Sequence, residues 1–156
     1  MRFHSLILFT DGGSRGNPGH AAFGLVLYAS REKLEYLSKE PNKIHSYLTF
    51  LEDQKQYLGS QLTNNEAEWH GLIAGLELAQ KYAEYSQNLR VYLDSELVVK
   101  QLLGEYRVRK PELKPFFHKA QKLRNSFTYL EFIHIRRELN QYADQLVNLC
   151  LDSVST

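Results

Sequence analysis

The sequence predicts an α/β domain built on a mixed sheet with helices on its faces. Three observations support this. Two apolar, strand-length runs open the chain and are joined by a dense turn segment, as in a hairpin. Helical periodicity then alternates with short apolar strands to the C-terminus. No repeat, linker or low-complexity tract interrupts the 156 residues, so residues 1–156 are expected to form one domain of ordinary size. Hydrophobic residues at 43% and charged residues at 24% exclude the disordered and fibrous classes.

The elements follow in order. Phe3 to Thr10 is expected to be a central strand, because Leu6-Ile7-Leu8-Phe9 is apolar on both sides of the pleat. Asp11 to Gly19 holds four glycines and a proline and is expected to be a turn. Ala21 to Ala29 forms the second strand. Arg31 to Asp53 mixes charges with scattered apolar residues and is expected to be an extended connection or insertion, leading to a strand near Gln54 to Leu62. Asn64 to Tyr85 is the clearest helix, with Leu72, Leu76, Ala79 and Ala83 at helical spacing and Thr63 or Asn64 as its N-cap. Leu89 to Leu93 is a short strand. Ser95 to Leu103 is a helix closed by Gly104, and Pro111 to Asn125 is another, with Pro115 in its first turn. Phe127 to Ile135 is the last strand and Asn140 to Leu151 the last helix.

Several function classes drop out on composition. The apolar runs, such as Leu6 to Phe9, are far below the ~20 residues of a membrane span. Thr10-Asp11 interrupts that run before a secretory signal could form. The lone Cys150 makes no internal disulfide, and no Cys/His spacing reads as a zinc site. A cytoplasmic location is expected. No protein partner is evident, and a monomer is expected. The net charge is +1, from 19 Lys and Arg against 18 Asp and Glu, so any nucleic-acid contact must be local. Between Lys100 and Arg137 there are ten Lys or Arg against three Glu, a density suited to phosphate tracking or to an ordinary solvated helix face.

Four acids stand where packing alone would not place them. Asp11 ends a fully apolar strand and Asp94 ends Val91-Tyr92-Leu93. Glu68 precedes Leu72 by four residues, and Asp144 precedes Val147 and Leu151 by three and seven. Both therefore sit on apolar stripes near helix starts. Each has an ordinary alternative: Asp11 as a turn residue, Asp94 as an N-cap, Glu68 and Asp144 as first-turn acids favoured by the helix dipole. Strand C-termini and helix N-termini meet at one edge of an α/β sheet, where ligands bind. Acids gathered there repel one another and are costly to bury charged. A hard divalent cation such as Mg²⁺ with oxygen-only ligands removes both costs. On position alone, both accounts stay open.

The same residues lie within longer strings. FTDGGSRGNPG at 9–19, TNNEAE at 63–68, VYLDSELVVKQL at 91–102 and RELNQYADQLVN at 137–148 together resemble the type 1 ribonuclease H family, in its archaeal-like, short-loop branch. The resemblance covers nearly the whole chain except Arg31 to Asp53. It implies a ribonuclease H-like fold, a five-stranded mixed sheet with its first three strands antiparallel, flanked by helices. It also implies Mg²⁺- or Mn²⁺-dependent endonucleolytic cleavage of the RNA strand of RNA–DNA hybrids, leaving 5′-phosphate and 3′-hydroxyl ends. By that resemblance Asp11 bridges two ions, Glu68 and Asp94 complete one site and Asp144 the other. Glu66 in TNNEAE is a decoy.

Gly12, Gly13, Ser14 and Asn17 in the first loop, and Asn64 and Asn65 at the helix start, match family positions that contact the two strands. Turn and capping chemistry accounts for the same residue types. The Gly-rich loop is no P-loop, since it lacks a Gly-Lys-Ser/Thr ending and leads into a strand. Two departures stand out. The family's histidine-bearing loop is absent, because only Arg136 to Leu139 separate Ile135 from Asn140; Arg137 or Glu138 is expected to take over its role, with His134 structural. Glu96 stands where relatives often carry an amide, and a carboxylate there would repel phosphate. A non-catalytic nucleic-acid binding module on the same fold is the alternative function, although a pure binder gains nothing from four converging acids.

Overall fold

The computed structural model describes residues 3–33 and 48–154. Five strands form one mixed sheet in the order β3-β2-β1-β4-β5. They span Ser5–Arg15 (β1), Gly19–Ser30 (β2), Thr49–Leu62 (β3), Asn88–Leu93 (β4) and Tyr129–His134 (β5). β1, β2 and β3 pair antiparallel, whereas β4 runs parallel to both β1 and β5. Among the described residues four α-helices flank the sheet: α1 (Asn64–Lys81), α2 (Glu96–Leu102), α3 (Lys114–Arg124) and α4 (Gln141–Val154). Among the described residues no helix is long and apolar enough to cross a membrane.

β1 is central, which explains its unbroken apolar run: Leu6, Ile7 and Leu8 are fully buried. Leu6 and Leu8 join Leu25, Leu27, Trp69, Leu72 and Leu76 in the main core beneath α1. Ile7 and Phe9 join Val26, Tyr28 and Tyr92 on the other face, where Phe9 and Tyr92 stack at 5.0 Å. α4 covers a third cluster of Ala22, Val147, Cys150 and Leu151.

The structure corrects the expected end of the first strand. β1 does not stop at Thr10 but continues through Asp11 to Arg15, pairing Asp11 with Gly24, Gly12 with Phe23 and Gly13 with Ala22. Small residues here serve close approach of backbones rather than a turn. A Cβ at Gly12 would sit 2.3 Å from the Ala67 carbonyl carbon in α1, and one at Gly24 would sit 2.5 Å from the Ala143 oxygen in α4. At Gly13 the nearest atom is Val147 Cγ1 at 3.4 Å, an ordinary contact. Gly12→Ala is therefore expected to destabilise by about 2–3 kcal/mol, since backbone cannot yield as a side chain can. Gly13→Ala is expected to stay within about 1 kcal/mol. Thermal unfolding of the two variants checks the contrast.

Other boundaries move for local reasons. β3 starts at Thr49, not near Gln54, because Phe50 pairs with Tyr28 and packs on its ring. The expected connection 31–53 thus loses its last five residues to a strand, and 34–47 lie outside the described residues. α1 ends at Lys81 instead of Tyr85, its Tyr82 hydroxyl donating to Glu52 at 3.0 Å. The segment from Pro111 begins as a 3₁₀ turn to Leu113 before α3, which carries Pro115 in its first turn. α4 runs on to Val154.

Candidate active site

The register of the central parallel pair builds the site. Thr10 opposite Leu93 is the last couple joining β1 to β4, so Asp11, the next residue of β1, and Asp94, the residue directly after β4, are neighbours. They emerge side by side where the parallel pairing ends, the crevice in which α/β sheets bind ligands. α1 brings Glu68 to the same place, because its first turns lie against Gly12. Thr63 caps that helix in a capping box: it accepts from the Glu66 N–H at 3.2 Å, while Glu66 Oε1 accepts from the Thr63 N–H at 3.1 Å. Glu66 is thereby committed to the cap, and Glu68 to the interior. Ser95, not Asp94, is the N-cap of α2, its hydroxyl accepting from the Val98 N–H.

One carboxylate oxygen each from Asp11, Glu68 and Asp94 lies within 4.8 Å of the other two. Asp11 and Glu68 are buried, at 6% and 7% exposure. Asp11 is pushed up to about 8, mainly by burial and then by the charge of Asp94. Glu68 is pushed well above the usual carboxylate range by burial, then by Asp11 and Asp94. Asp94 is also raised by burial, although hydrogen bonds from Asn140 and Asp11 and the charge of Arg137 pull it back. The Gly12 N–H donates to Asp11 Oδ1 at 2.9 Å. Glu68 Oε2 is buried and has no hydrogen-bond partner among the described residues.

Asp144 lines the same cleft of about 600 Å³ but stands outside the three-carboxylate cluster. It sits at the rim, its side chain 27% exposed, with Oδ1 3.5 Å from Arg137 Nη2. Asn148 donates to its other oxygen at 3.4 Å. Arg137 also lines the cleft; Glu138 does not, and instead faces Arg136 at 3.3 Å. Glu96 pairs with Lys100 at 2.8 Å, which offsets the charge expected to repel phosphate. His134 is exposed at the end of β5 and does not line the cleft.

Gly12, Gly13, Ser14, Asn64 and Asn65 all line the cleft. Part of their capacity is spent internally. The Ser14 hydroxyl donates to the Leu62 carbonyl at 2.7 Å, and the Ser14 N–H to Asn64 Oδ1 at 2.8 Å. Asn17 is not a lining residue; its Oδ1 accepts from the Asn64 N–H at 2.9 Å and ties the first turn to α1. Asn140 was singled out by no motif chemistry, yet it is a buried joint, donating to the Thr10 carbonyl at 2.8 Å beside Asp94. A buried amide at the start of an amphipathic helix was its available signal.

This donor set fits hard divalent cations. Three oxygen-only ligands converge, two of them are pushed above the usual carboxylate range by burial and mutual repulsion, and one buried oxygen lacks a partner among the described residues.

Comparison with known proteins agrees. A family model described as reverse transcriptase-like matches residues 9–150. A bifunctional protein of Mycobacterium tuberculosis is 35% identical over 150 residues, 96% of this chain and 36% of that protein. Its N-terminal ribonuclease H domain superposes with a TM-score of 0.81, at 35% identity, over 96% of this chain and 95% of that one. Ribonuclease HI of Halobacterium salinarum is 34% identical over 144 residues, 92% of this chain and 63% of that protein; its crystal structure gives a TM-score of 0.78. A ribonuclease H1 solved in complex with an RNA/DNA hybrid is 34% identical, with a TM-score of 0.77 over 97% of this chain and 99% of that one. The chain thus spans about a third of the mycobacterial protein and under two thirds of the halobacterial one. The five-stranded order β3-β2-β1-β4-β5, the acids at the end of its parallel pair and these matches carry one conclusion: the chain belongs to the type 1 ribonuclease H family.

Proposed function

We propose that this chain hydrolyses the RNA strand of RNA–DNA hybrids at internal positions, using two divalent cations, Mg²⁺ or Mn²⁺, and leaving 5′-phosphate and 3′-hydroxyl ends. The observation that carries the reading is the convergence of Asp11, Glu68 and Asp94 around a buried, unpartnered Glu68 oxygen. Asp11, Glu68 and Asp94 would hold one ion, and Asp11 with Asp144 the other. Ions held by these residues would supply charge stabilisation for an in-line displacement. Burial raises both Asp11 and Glu68, and carboxylates bind cations in the deprotonated form, so occupancy would rise with pH.

The remaining roles fall to the cleft walls. Gly12 and Gly13 line the cleft, Gly13 with part of its backbone exposed, and the Asn65 amide has no partner among the described residues. Such groups suit the wide minor groove of an A-like hybrid, where 2′-hydroxyls mark the RNA strand. Arg137, 79% exposed and beside Asp144, offers a fixed positive charge to the cut phosphate. It cannot act as a base, because guanidinium carries donors only. The hybrid held by a ribonuclease H1 relative supports the same substrate class here.

The test is a hybrid with separately labelled RNA and DNA strands, incubated with Mg²⁺ or with EDTA. Internal cuts in the RNA alone, lost in EDTA, are expected. Cleavage of duplex DNA, or binding without cutting in Mg²⁺, would sink the proposal.

A further inference from the structure

Asp144, Asn148 and Asp152 recur every four residues along α4 and so share one face. Arg15, the last residue of β1, reaches across them. Its Nη2 lies 2.7 Å from Asp152 Oδ1 and donates to Asn148 Oδ1 at 3.3 Å. Asn148 Nδ2 donates in turn to Asp144 Oδ2 at 3.4 Å. The neighbours fix the sense of that amide: guanidinium only donates, so the oxygen must face Arg15 and the NH₂ must face the carboxylate.

From this chain of contacts we infer that Asn148, oriented by an Asp152-clamped Arg15, is a positioning residue that presents Asp144 to a divalent cation. The inference rests on the metal-dependent reading of the cleft. Asp144 is the one acid of the four that stands outside the three-carboxylate cluster, and Arg137 draws its Oδ1 toward the rim. Asn148 holds Oδ2 from the other side, which lowers the ordering cost of ligation. The two links through Asn148 are long for hydrogen bonds and the Arg15–Asp152 pair is exposed, so they contribute little to stability. Their use is orientation, as outer-sphere partners orient metal ligands elsewhere.

The relay opposes simple electrostatics in sign. Removing the positive charge of Arg15 beside a cation site should tighten cation binding by Coulomb's law alone. The relay requires it to weaken.

The experiment measures Mn²⁺ binding to the free protein by electron paramagnetic resonance, and hybrid cleavage against Mg²⁺ concentration. The proteins are wild type, Asn148→Leu, Arg15→Gln and the double variant. Each single change is expected to raise the Mn²⁺ dissociation constant and the Mg²⁺ midpoint about tenfold. The double variant is expected to be no worse than the worse single, because both act through one amide. Hybrid KM at saturating metal should move less than about twofold, and the exposed positions leave the fold intact. Tighter or unchanged Mn²⁺ binding in Arg15→Gln, an Asn148→Leu midpoint within about twofold of wild type, or multiplicative effects in the double variant would each overturn the relay. If wild type binds Mn²⁺ and both singles weaken it, but no hybrid is cut, the relay stands and the nuclease reading falls. If hybrid is cut and the variants behave as wild type, only the relay falls.

Discussion

Asp94→Asn is expected to leave a folded protein, slightly more stable than wild type, that cuts hybrid at least about 1000-fold more slowly. The shape is conserved, and the amide oxygen can still accept from Asn140, whose contact eases the Asp94 carboxylate. What changes is charge. One negative group leaves a cluster in which Asp94 is the leading charge raising Asp11, and the relief is on the order of 1 kcal/mol, or about 2–4 °C in a domain of this size. The ligand charge for the cations goes with it, and losing ~4 kcal/mol of transition-state stabilisation accounts for the rate. Opposite movements of stability and activity separate a functional acid from a structural one. A variant that is less stable yet fully active at millimolar Mg²⁺ would show Asp94 to be an ordinary strand-end acid. Thermal unfolding in EDTA and initial rates in Mg²⁺ give both numbers from one preparation.

How much of this was legible in the sequence follows the range of the interactions involved. Asp11 and Asp94 were legible because each closes an apolar run, and their adjacency needs only one further fact, the parallel register Thr10 opposite Leu93. Glu68 was separable from Glu66 because one sits on the helix stripe and the other three residues after a threonine cap. The overrun of β1 was misread because glycine marks both turns and close approach, and only the crossing of α1 and α4 over β1 and β2 decides between them. The five-stranded mixed sheet implied by the family resemblance, its first three strands antiparallel, is the one found. Asn148 and Arg15 were illegible for a different reason: they are 133 residues apart, and nothing local says that α4 passes the end of β1. The rim position of Asp144 was hidden despite short spacings, because it depends on Arg137 and Asn148 pulling on opposite oxygens, which residue order does not show.

In chelator, the protein is expected to lose stability as pH rises from about 5 to 9, and a divalent cation is expected to reverse that loss. The sign follows from linkage. Asp11, Glu68 and Asp94 all titrate higher in the folded state than in the unfolded chain. Between the two ranges the folded state therefore binds more protons, and stability falls as pH rises. For Asp11 the loss begins above its ordinary value of 3.8 and is complete only beyond about 8. Cations compete with those protons, so their affinity climbs across the same window. At tenfold excess over the dissociation constant the gain is about 1.4 kcal/mol, roughly 3–6 °C. The difference in Tm between Mn²⁺ and EDTA should thus be near zero at pH 5 and largest at pH 8 to 9. Asp94→Asn should flatten both the pH slope and the metal response, because it removes a charge that raises Asp11 and Glu68 together. A flat profile in EDTA, or a metal shift largest at acid pH, would mean that these carboxylates do not share one field. Differential scanning fluorimetry across that pH range, with and without metal, decides it.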